Sequence, residues 1–401
     1  MKELFAKEYV NSGRQKEFDL IRGITIFFMV FNHAQGEMFG FEPGTAANLI
    51  LNLHLNILGA AAFMTIMGVA INYTRHNKAE DFLNRGWILL LTAFSLTALR
   101  DALPNMVSFL AFGNGYSRGA MMLSIGGDIL QFAGLAFLLI GLLKKLNIGH
   151  TGMLLIAVAL NAAGFLLNGV QTGNYVVNQF LGYFWGTYSE DYFPLFHWFI
   201  FPVMGYVFGD CYKRLADKDR FFLIAVPACA AFSIATILIE VLIPEQQIFR
   251  CILDHDRFCY MAVPDAVRSM AAFVAVIGIM YWLTKVLSDK ALSPLYYLSM
   301  NISVVYCTSW VLISLTTFSF RLLKFWPETQ LQTTLVSIGI LVVTILLTNF
   351  YKAHREFFVG VFGKHRMIWA MVVTAIIATA VIMALQGGSE TFPNYHNGYH
   401  A

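Results

Sequence analysis

Charged residues are scarce in this chain. Of its 401 residues only 13% are Asp, Glu, Lys or Arg, whereas a soluble domain carries about 25%. Hydrophobic residues make up 58% and recur in long apolar runs, which predicts a polytopic membrane protein. No segment between these runs is long enough for a sizeable soluble domain, and the formal net charge of +3 is too small to indicate a particular partner.

Motifs for metals, nucleotides and hydrolytic nucleophiles are also missing. The chain has no metal-ligand pattern, P-loop, GxSxG elbow or dinucleotide fingerprint, so we expect no metal cofactor and no nucleic-acid partner. None of its five cysteines forms a CxxC or zinc-ribbon pair. Cys251 and Cys259 share one loop, where the sequence is equally consistent with a disulfide and with two thiols.

The apolar runs predict an all-α polytopic bundle of about eleven transmembrane helices in a single domain over 1–401. The connecting segments alternate between rich and poor in Lys and Arg, and the positive-inside rule places the rich set, with residues 1–16, in the cytoplasm. The protein is then a multi-pass inner (plasma) membrane protein with an extracytoplasmic tail at 387–401. The expected spans are 20–39, 48–74, 86–99, 127–144, 151–168, 193–212, 221–243, 265–286, 293–316, 331–350 and 367–386.

The segment before the first span is polar and charged. It lacks an apolar stretch followed by a small-residue cleavage site, so we expect no removable signal peptide. The first span is therefore expected to remain as a membrane anchor.

The first span carries a stripe of polar residues. His33 follows Arg22 by eleven positions, which places both on one helix face roughly 16 Å apart, and Asp19 lies on the same stripe. Polar groups inside a membrane usually face a protein interior or a wet cavity. His33 is a candidate base or a packing residue, and Arg22 with Asp19 forms either a membrane anchor or a contact to an anionic cofactor. Asn32 is a further candidate binding residue.

Other polar residues open later spans. Asp128 is well placed to cap the fourth span, and Gln131 one turn later could face a cavity. His197 opens the sixth span within an aromatic segment, and His54 lies in the second span. For each of them, a structural contact and a place in a binding cavity are both open interpretations.

Several of these segments resemble the transmembrane acyltransferases. The acyltransferase-3 branch has Arg, ten residues, then His in its first helix, as Arg22 and His33 do here after the lead-in Asp-Leu-Ile. The heparan-α-glucosaminide N-acetyltransferase branch is similar in four blocks. These are Phe63-Met-Thr-Ile-Met-Gly68, Asn84-Arg85-Gly86-Trp-Ile-Leu-Leu-Leu, Asp128-Ile-Leu-Gln-Phe-Ala-Gly134 and Phe193-Pro-Leu-Phe-His-Trp198.

The resemblance implies an acyl-CoA donor, most often acetyl-CoA, that binds from the cytoplasmic side. His33 would move the acyl group to a hydroxyl or amine of an extracytoplasmic glycan or glycolipid, and Arg22 would support the cofactor side. Arg85 is a further candidate for cofactor binding, although it stands alone where the acyltransferase-3 branch has Arg-x-x-Arg.

We therefore expect an acyl-CoA-dependent O- or N-acetyltransferase that contacts membrane lipids and could form a homodimer. A transporter or flippase for a lipid-linked or small polar solute is the alternative, although no inverted repeat is evident. A membrane scaffold whose polar residues only pack is a third, weaker interpretation.

Overall fold

The computed structural model describes residues 4–38, 45, 54–113, 119–187, 191–252 and 259–386, and among them it is built from helices. The predicted tail 387–401 and the first part of the second span lie outside the described residues. In chain order the helices are α1 (Lys16–Gly36), α2 (Ala60–Tyr73), α3 (Ala79–Thr97), α4 (Leu103–Phe112), α5 (Ile129–Lys145), α6 (His150–Leu167), α7 (Tyr175–Trp185), α8 (Leu195–Trp198), α9 (Ile200–Arg214), α10 (Lys218–Leu242), α11 (Val263–Val286), α12 (Asp289–Met300), α13 (Ile302–Leu323), α14 (Gln330–Ala353), α15 (Arg355–Lys364) and α16 (Arg366–Leu385).

The all-α polytopic class is confirmed. Eight helices within the described ranges are long and apolar enough to cross a membrane. The remaining three predicted spans coincide with α1, with the shorter apolar helix α2, and with α8 followed by α9. Contacts such as those of Lys16 with Asp289, Lys285 with Asp219 and Lys144 with Asn77 bring the Lys- and Arg-rich connections together at one end of the bundle. We call it the basic end, and the other the opposite end.

The third span is longer than the sequence predicts. Its helix continues through a π-helical turn, Ala98–Ala102, into α4, so that one continuous apolar segment covers Ala79–Phe112. The prediction ended this short span at residue 99, just before Arg100 and Asp101. The structure pairs the two charges with each other, so they do not end the helix.

The structure differs from the prediction in two further places, the ninth span and the outer loop before the sixth span. The predicted ninth span is divided at Asn301 into α12 and α13. The predicted outer loop 169–192 contains the amphipathic helix α7. Its N-cap is Asn174, whose side chain accepts a hydrogen bond from the Val177 amide.

Small residues allow several helices to cross at close range. A Cβ atom added to Gly205 of α9 would lie 1.9 Å from the Thr65 carbonyl oxygen of α2. One added to Gly86 of α3 would lie 2.8 Å from the Gly134 carbonyl oxygen of α5. Membrane helices gain stability from such close backbone approach. Three of the four blocks that resemble the N-acetyltransferase branch thus contain or contact residues of helix crossings.

The segment before α1 is bound to the basic end. Its residue Phe5 pairs with Leu215 as an isolated antiparallel bridge. The amides of Ala6 and Val10 donate to the carbonyl oxygens of Arg214 and Lys213 at 2.7 and 2.8 Å. These carbonyls close α9 and would otherwise have no partner within the helix. The segment therefore both caps α9 and fixes the beginning of α1.

Candidate active site

The polar stripe of α1 is divided between the two ends of the bundle. At the basic end, Asp19 is buried and accepts bonds from Arg22 and Arg14 and, at 3.2 Å, from the Ser299 hydroxyl of α12. His33 lies in the last turn of the same helix, at the opposite end. Arg22 and His33 share a helix face, as predicted, but they contact different groups.

Arg100 is the centre of a charged cluster at the opposite end. It donates from Nη1 to Asp128 Oδ2 at 2.7 Å and from Nε to both carboxylate oxygens of Asp101 at 3.0 and 3.1 Å. Its guanidinium also lies over the Trp310 ring, 4.3 Å from the centroid. The carbonyl of Arg100, in the π-helical turn, accepts a bond of 2.6 Å from the Ser314 hydroxyl of α13. π-Helical turns are often found at functional sites.

His33 joins this cluster through an aromatic contact. Its imidazole lies against the Trp310 indole with ring centroids 4.2 Å apart, and it is within electrostatic reach of Asp128 and Arg100. Tyr306, one turn before Trp310, donates its hydroxyl hydrogen to Asp128 Oδ2 at 3.2 Å. The histidine, the carboxylate and the guanidinium therefore belong to one site.

Asp128 also has a structural function. It is the N-cap of α5, as the sequence predicts, and its Oδ1 accepts a 2.6 Å bond from the Ile129 amide. Since the other oxygen accepts from Arg100 and Tyr306, both oxygens are held in place. A carboxylate held in this way is a fixed negative charge next to His33.

A cleft leads to this cluster from the opposite end. One wall is a stripe along three turns of α13, and the facing wall comes from the π-helical turn and α4. The stripe comprises Trp310, Ile313, Ser314, Thr317, Phe318 and Arg321. Arg100 and Asp101 line the inner part of the cleft. Trp310 therefore lines the cleft, and the His33 imidazole lies against the ring of this tryptophan.

Gln131 is buried one turn after Asp128, where the sequence placed it. Neither its amide oxygen nor its amide nitrogen has a hydrogen-bond partner in the described part of the chain. A buried amide without partners costs free energy, so this side chain is a candidate for a ligand contact. Asn32 is half-buried beside His33 in the chain, on α1.

The remaining predicted residues lie elsewhere. Arg85 stacks on Phe137, 4.8 Å from the ring centroid, at the α3–α5 interface. The ring centroid of His54 is 4.6 Å from that of Phe28. His197 is fully buried against Gly164 and 5.4 Å from the Tyr260 ring. The described contacts of these three residues do not connect them to the charged cluster.

A second buried ion cluster also lies at the opposite end. Arg268 of α11 is fully buried between Glu240 of α10, at 2.5 Å, and Asp265, at 2.9 Å. The amide of Ile252 donates to Glu240 Oε1 at 2.7 Å, so the cluster also holds the loop between the two helices. No disulfide joins the five cysteines, all of which are among the described residues. Burial raises the pKa of the Cys251 thiol in this loop.

The sequence did not identify Arg100, Asp101 and Trp310 as site residues. A signal was present, because an adjacent Arg and Asp within an apolar run usually face a protein interior. Placing the helix end at residue 99 assigned the pair to a loop. The position of Trp310 depends on how α13 packs against α1, which the sequence does not contain.

The fold and this cluster define a polytopic membrane protein with a buried charged cluster beside a cleft. A family model described as "Heparan-alpha-glucosaminide N-acetyltransferase, catalytic" matches residues 14–242, more than half of the chain, and the chain belongs to this family. The match includes His33, Arg100 and Asp128. Comparisons with curated proteins and with solved structures gave no match. The family indicates a membrane-bound, N-acetyltransferase-like function.

Proposed function

We propose that this protein transfers an acyl group, acetyl in the first instance, from acyl-CoA to a hydroxyl or amine of a polar acceptor, with His33 as general base. The observation that carries this proposal is the position of His33. It lies beside the ion pair of Arg100 and Asp128, against the ring of Trp310, and both Arg100 and Trp310 line a cleft. Family membership supplies the reaction class.

The groups present suit each step of such a transfer. The acceptor oxygen or nitrogen attacks the thioester carbonyl carbon while His33 takes the proton that the acceptor loses. The carbon–sulfur bond breaks with its electron pair on sulfur, and the imidazolium returns the proton to the CoA thiolate. The fixed charge of Asp128 stabilises the imidazolium between these two proton transfers.

The distribution of Lys and Arg supports one orientation of the protein in the membrane. By the positive-inside rule the basic end faces the cytoplasm of an inner-membrane protein, so acetyl-CoA would enter there. The cleft would then admit the acceptor, a glycan or glycolipid, from the extracytoplasmic side. Arg22, Arg85, His54 and His197 remain proposed contacts of cofactor or substrate, and Asp19 orders Arg22.

Acetyl transfer by detergent-purified protein tests the proposal. With acetyl-CoA and a panel of amino sugars and glycolipids, His33→Ala is expected to reduce the rate about 10²-fold or more, as the loss of a general base does. Calorimetric binding of acetyl-CoA should persist in this variant. The matched control is His76→Ala, because His76 is exposed at the basic end.

Full transfer by His33→Ala would refute the mechanism. Solute flux into proteoliposomes without acetyl-CoA, together with no acetyl-CoA binding, would replace the proposal with the transporter alternative.

A further inference from the structure

Arg100 is shared between two carboxylates. It bonds Asp101 through Nε and Nη2 and Asp128 through Nη1, and the three side chains expose only 13%, 13% and 17% of their surface. With all three groups in their ionised forms, one guanidinium and two carboxylates carry one net negative charge. A partly buried, uncompensated charge is costly, so its presence beside the proposed base needs an explanation.

Among the residues that the structure describes, no other group around His33 removes this imbalance. Tyr306 and Cys307 of α13 are neutral when protonated, and Glu37 at the end of α1 and Arg321 of α13 line the outer part of the cleft. On the sides facing α11 and α14, the described groups are engaged with other partners, namely Arg268 between Glu240 and Asp265, and Gln330 and Ser337 on Gln35. His54, which lies before α2, packs its ring on Phe28.

We propose that Asp101 is a positioning residue that provides a counter-charge for the protonated form of His33. This inference rests on the proposed function. When His33 takes the acceptor's proton, the cluster of histidine, arginine and two carboxylates changes from one net negative charge to neutral. Asp101 acts through Arg100, which it holds by a two-point contact, so that Arg100 does not fully cancel the charge of Asp128. Charges already in place need no reorganisation during the reaction.

The test compares Asp101→Asn with Asp101→Glu, which keeps the charge, in purified full-length protein. For Asp101→Asn we expect kcat of acetyl transfer to fall about tenfold with KM values changed less than about twofold, since the charge acts on the transition state. Asp101→Glu should recover most of the loss. Asp219→Asn is the control, because it removes an exposed carboxylate paired with Lys285 at the basic end.

A second readout does not depend on activity. Diethyl pyrocarbonate modifies neutral imidazole, so the modification rate of the His33 peptide, followed by mass spectrometry, reports its protonation. With one negative charge fewer, the midpoint of this pH curve should move to lower pH in Asp101→Asn by about half a unit. Asp101→Glu should leave it in place.

The possible outcomes distinguish failure of this inference from failure of the proposed mechanism. An Asp101→Asn variant with wild-type kcat and an unmoved midpoint, beside an inactive His33→Ala, would overturn this inference alone. Equal loss in Asp101→Asn and Asp101→Glu with an unmoved midpoint would assign Asp101 a purely structural role and overturn it as well. An active His33→Ala would instead refute the proposed mechanism.

Discussion

The imidazole of His33 and the indole of Trp310 are in contact, with ring centroids 4.2 Å apart and ring planes tilted by 37°. Trp310 also carries the Arg100 guanidinium on its ring at 4.3 Å. One aromatic side chain therefore positions both the proposed base and the cation that holds its acidic neighbours. Ring contacts of this kind contribute about 0.5–1.5 kcal/mol beyond their buried area.

Replacing Trp310 should therefore reduce catalysis more than cofactor binding. We expect Trp310→Leu to lower kcat about tenfold, corresponding to about 1.4 kcal/mol, and Trp310→Phe to lower it less because a ring is kept. The control is Trp369→Leu, since Trp369 bonds Ser95 on α3 through its indole nitrogen. Steady-state kinetics measures kcat, and calorimetry measures the affinity for acetyl-CoA. Unchanged kcat in Trp310→Leu would contradict the positioning role.

The buried amide of Gln131 gives a prediction about stability. Neither amide atom of Gln131 has a hydrogen-bond partner in the described part of the chain. Gln131→Met should therefore raise the free energy of unfolding by about 1 kcal/mol, because it replaces an unsatisfied polar group with an apolar side chain of similar shape. The matched control is Gln35→Met, which should destabilise, since Gln35 bonds Gln330 and Ser337. Thermal unfolding in detergent measures both.

Thermal unfolding with acetyl-CoA or an acceptor present tests the ligand contact. A ligand that stabilises wild type but not Gln131→Met would show that the amide contacts that ligand. Destabilisation by Gln131→Met without any ligand would contradict the prediction.

The sequence predicted the fold class and part of the site, for identifiable physical reasons. The long apolar runs predict the spans, and the local cap rule predicts Asp128 as the N-cap of α5. The meeting of Asp128, Arg100 and His33 was not predictable, because these residues lie on three separate spans and meet only after packing. The Arg100–Asp101 pair was assigned to a loop because hydropathy counts each charge separately. The ion pair that these two residues form inside the bundle is a tertiary contact that hydropathy does not measure.

The hydrogen bond of Tyr9 gives a pH prediction at the basic end, outside the spans. The Tyr9 hydroxyl donates to Asp210 Oδ1 at 2.6 Å, and this bond raises the pKa of Tyr9 above its ordinary value of 10.0. Because the folded pKa is raised, the stabilising contact is present below pH 10 and is lost as the pH rises through the folded pKa. The difference in absorbance at about 295 nm between wild type and Tyr9→Phe should titrate above pH 10. A midpoint at or below 10 would contradict the contact.

The crossing of α2 and α9 predicts a strict requirement for glycine. Gly205→Ala would place a Cβ atom 1.9 Å from the Thr65 carbonyl oxygen, and a backbone atom cannot move aside as a side chain can. We expect destabilisation of about 3 kcal/mol or more, at the upper end of overpacking costs. Gly339→Ala in α14 is the control, because its Cβ atom would meet nothing within 4 Å. The yield of monodisperse protein and the melting temperature measure both, and equal behaviour of the two variants would refute the close crossing.

The buried cluster of Arg268, Glu240 and Asp265 predicts a large loss of stability when its cation is removed. Arg268→Met would leave two carboxylates buried without their cation, which typically costs about 3–5 kcal/mol. Because Glu240 also accepts the Ile252 amide, the loop after α10 should lose its hydrogen-exchange protection in the same variant. Lys285→Met on the same helix α11 is the control, since its ion pair with Asp219 is exposed and such pairs contribute little. If both variants melt like wild type, the triad does not stabilise this end of the bundle. If only Arg268→Met melts early and its loop exchanges fast, the cluster is what holds that loop on the helices.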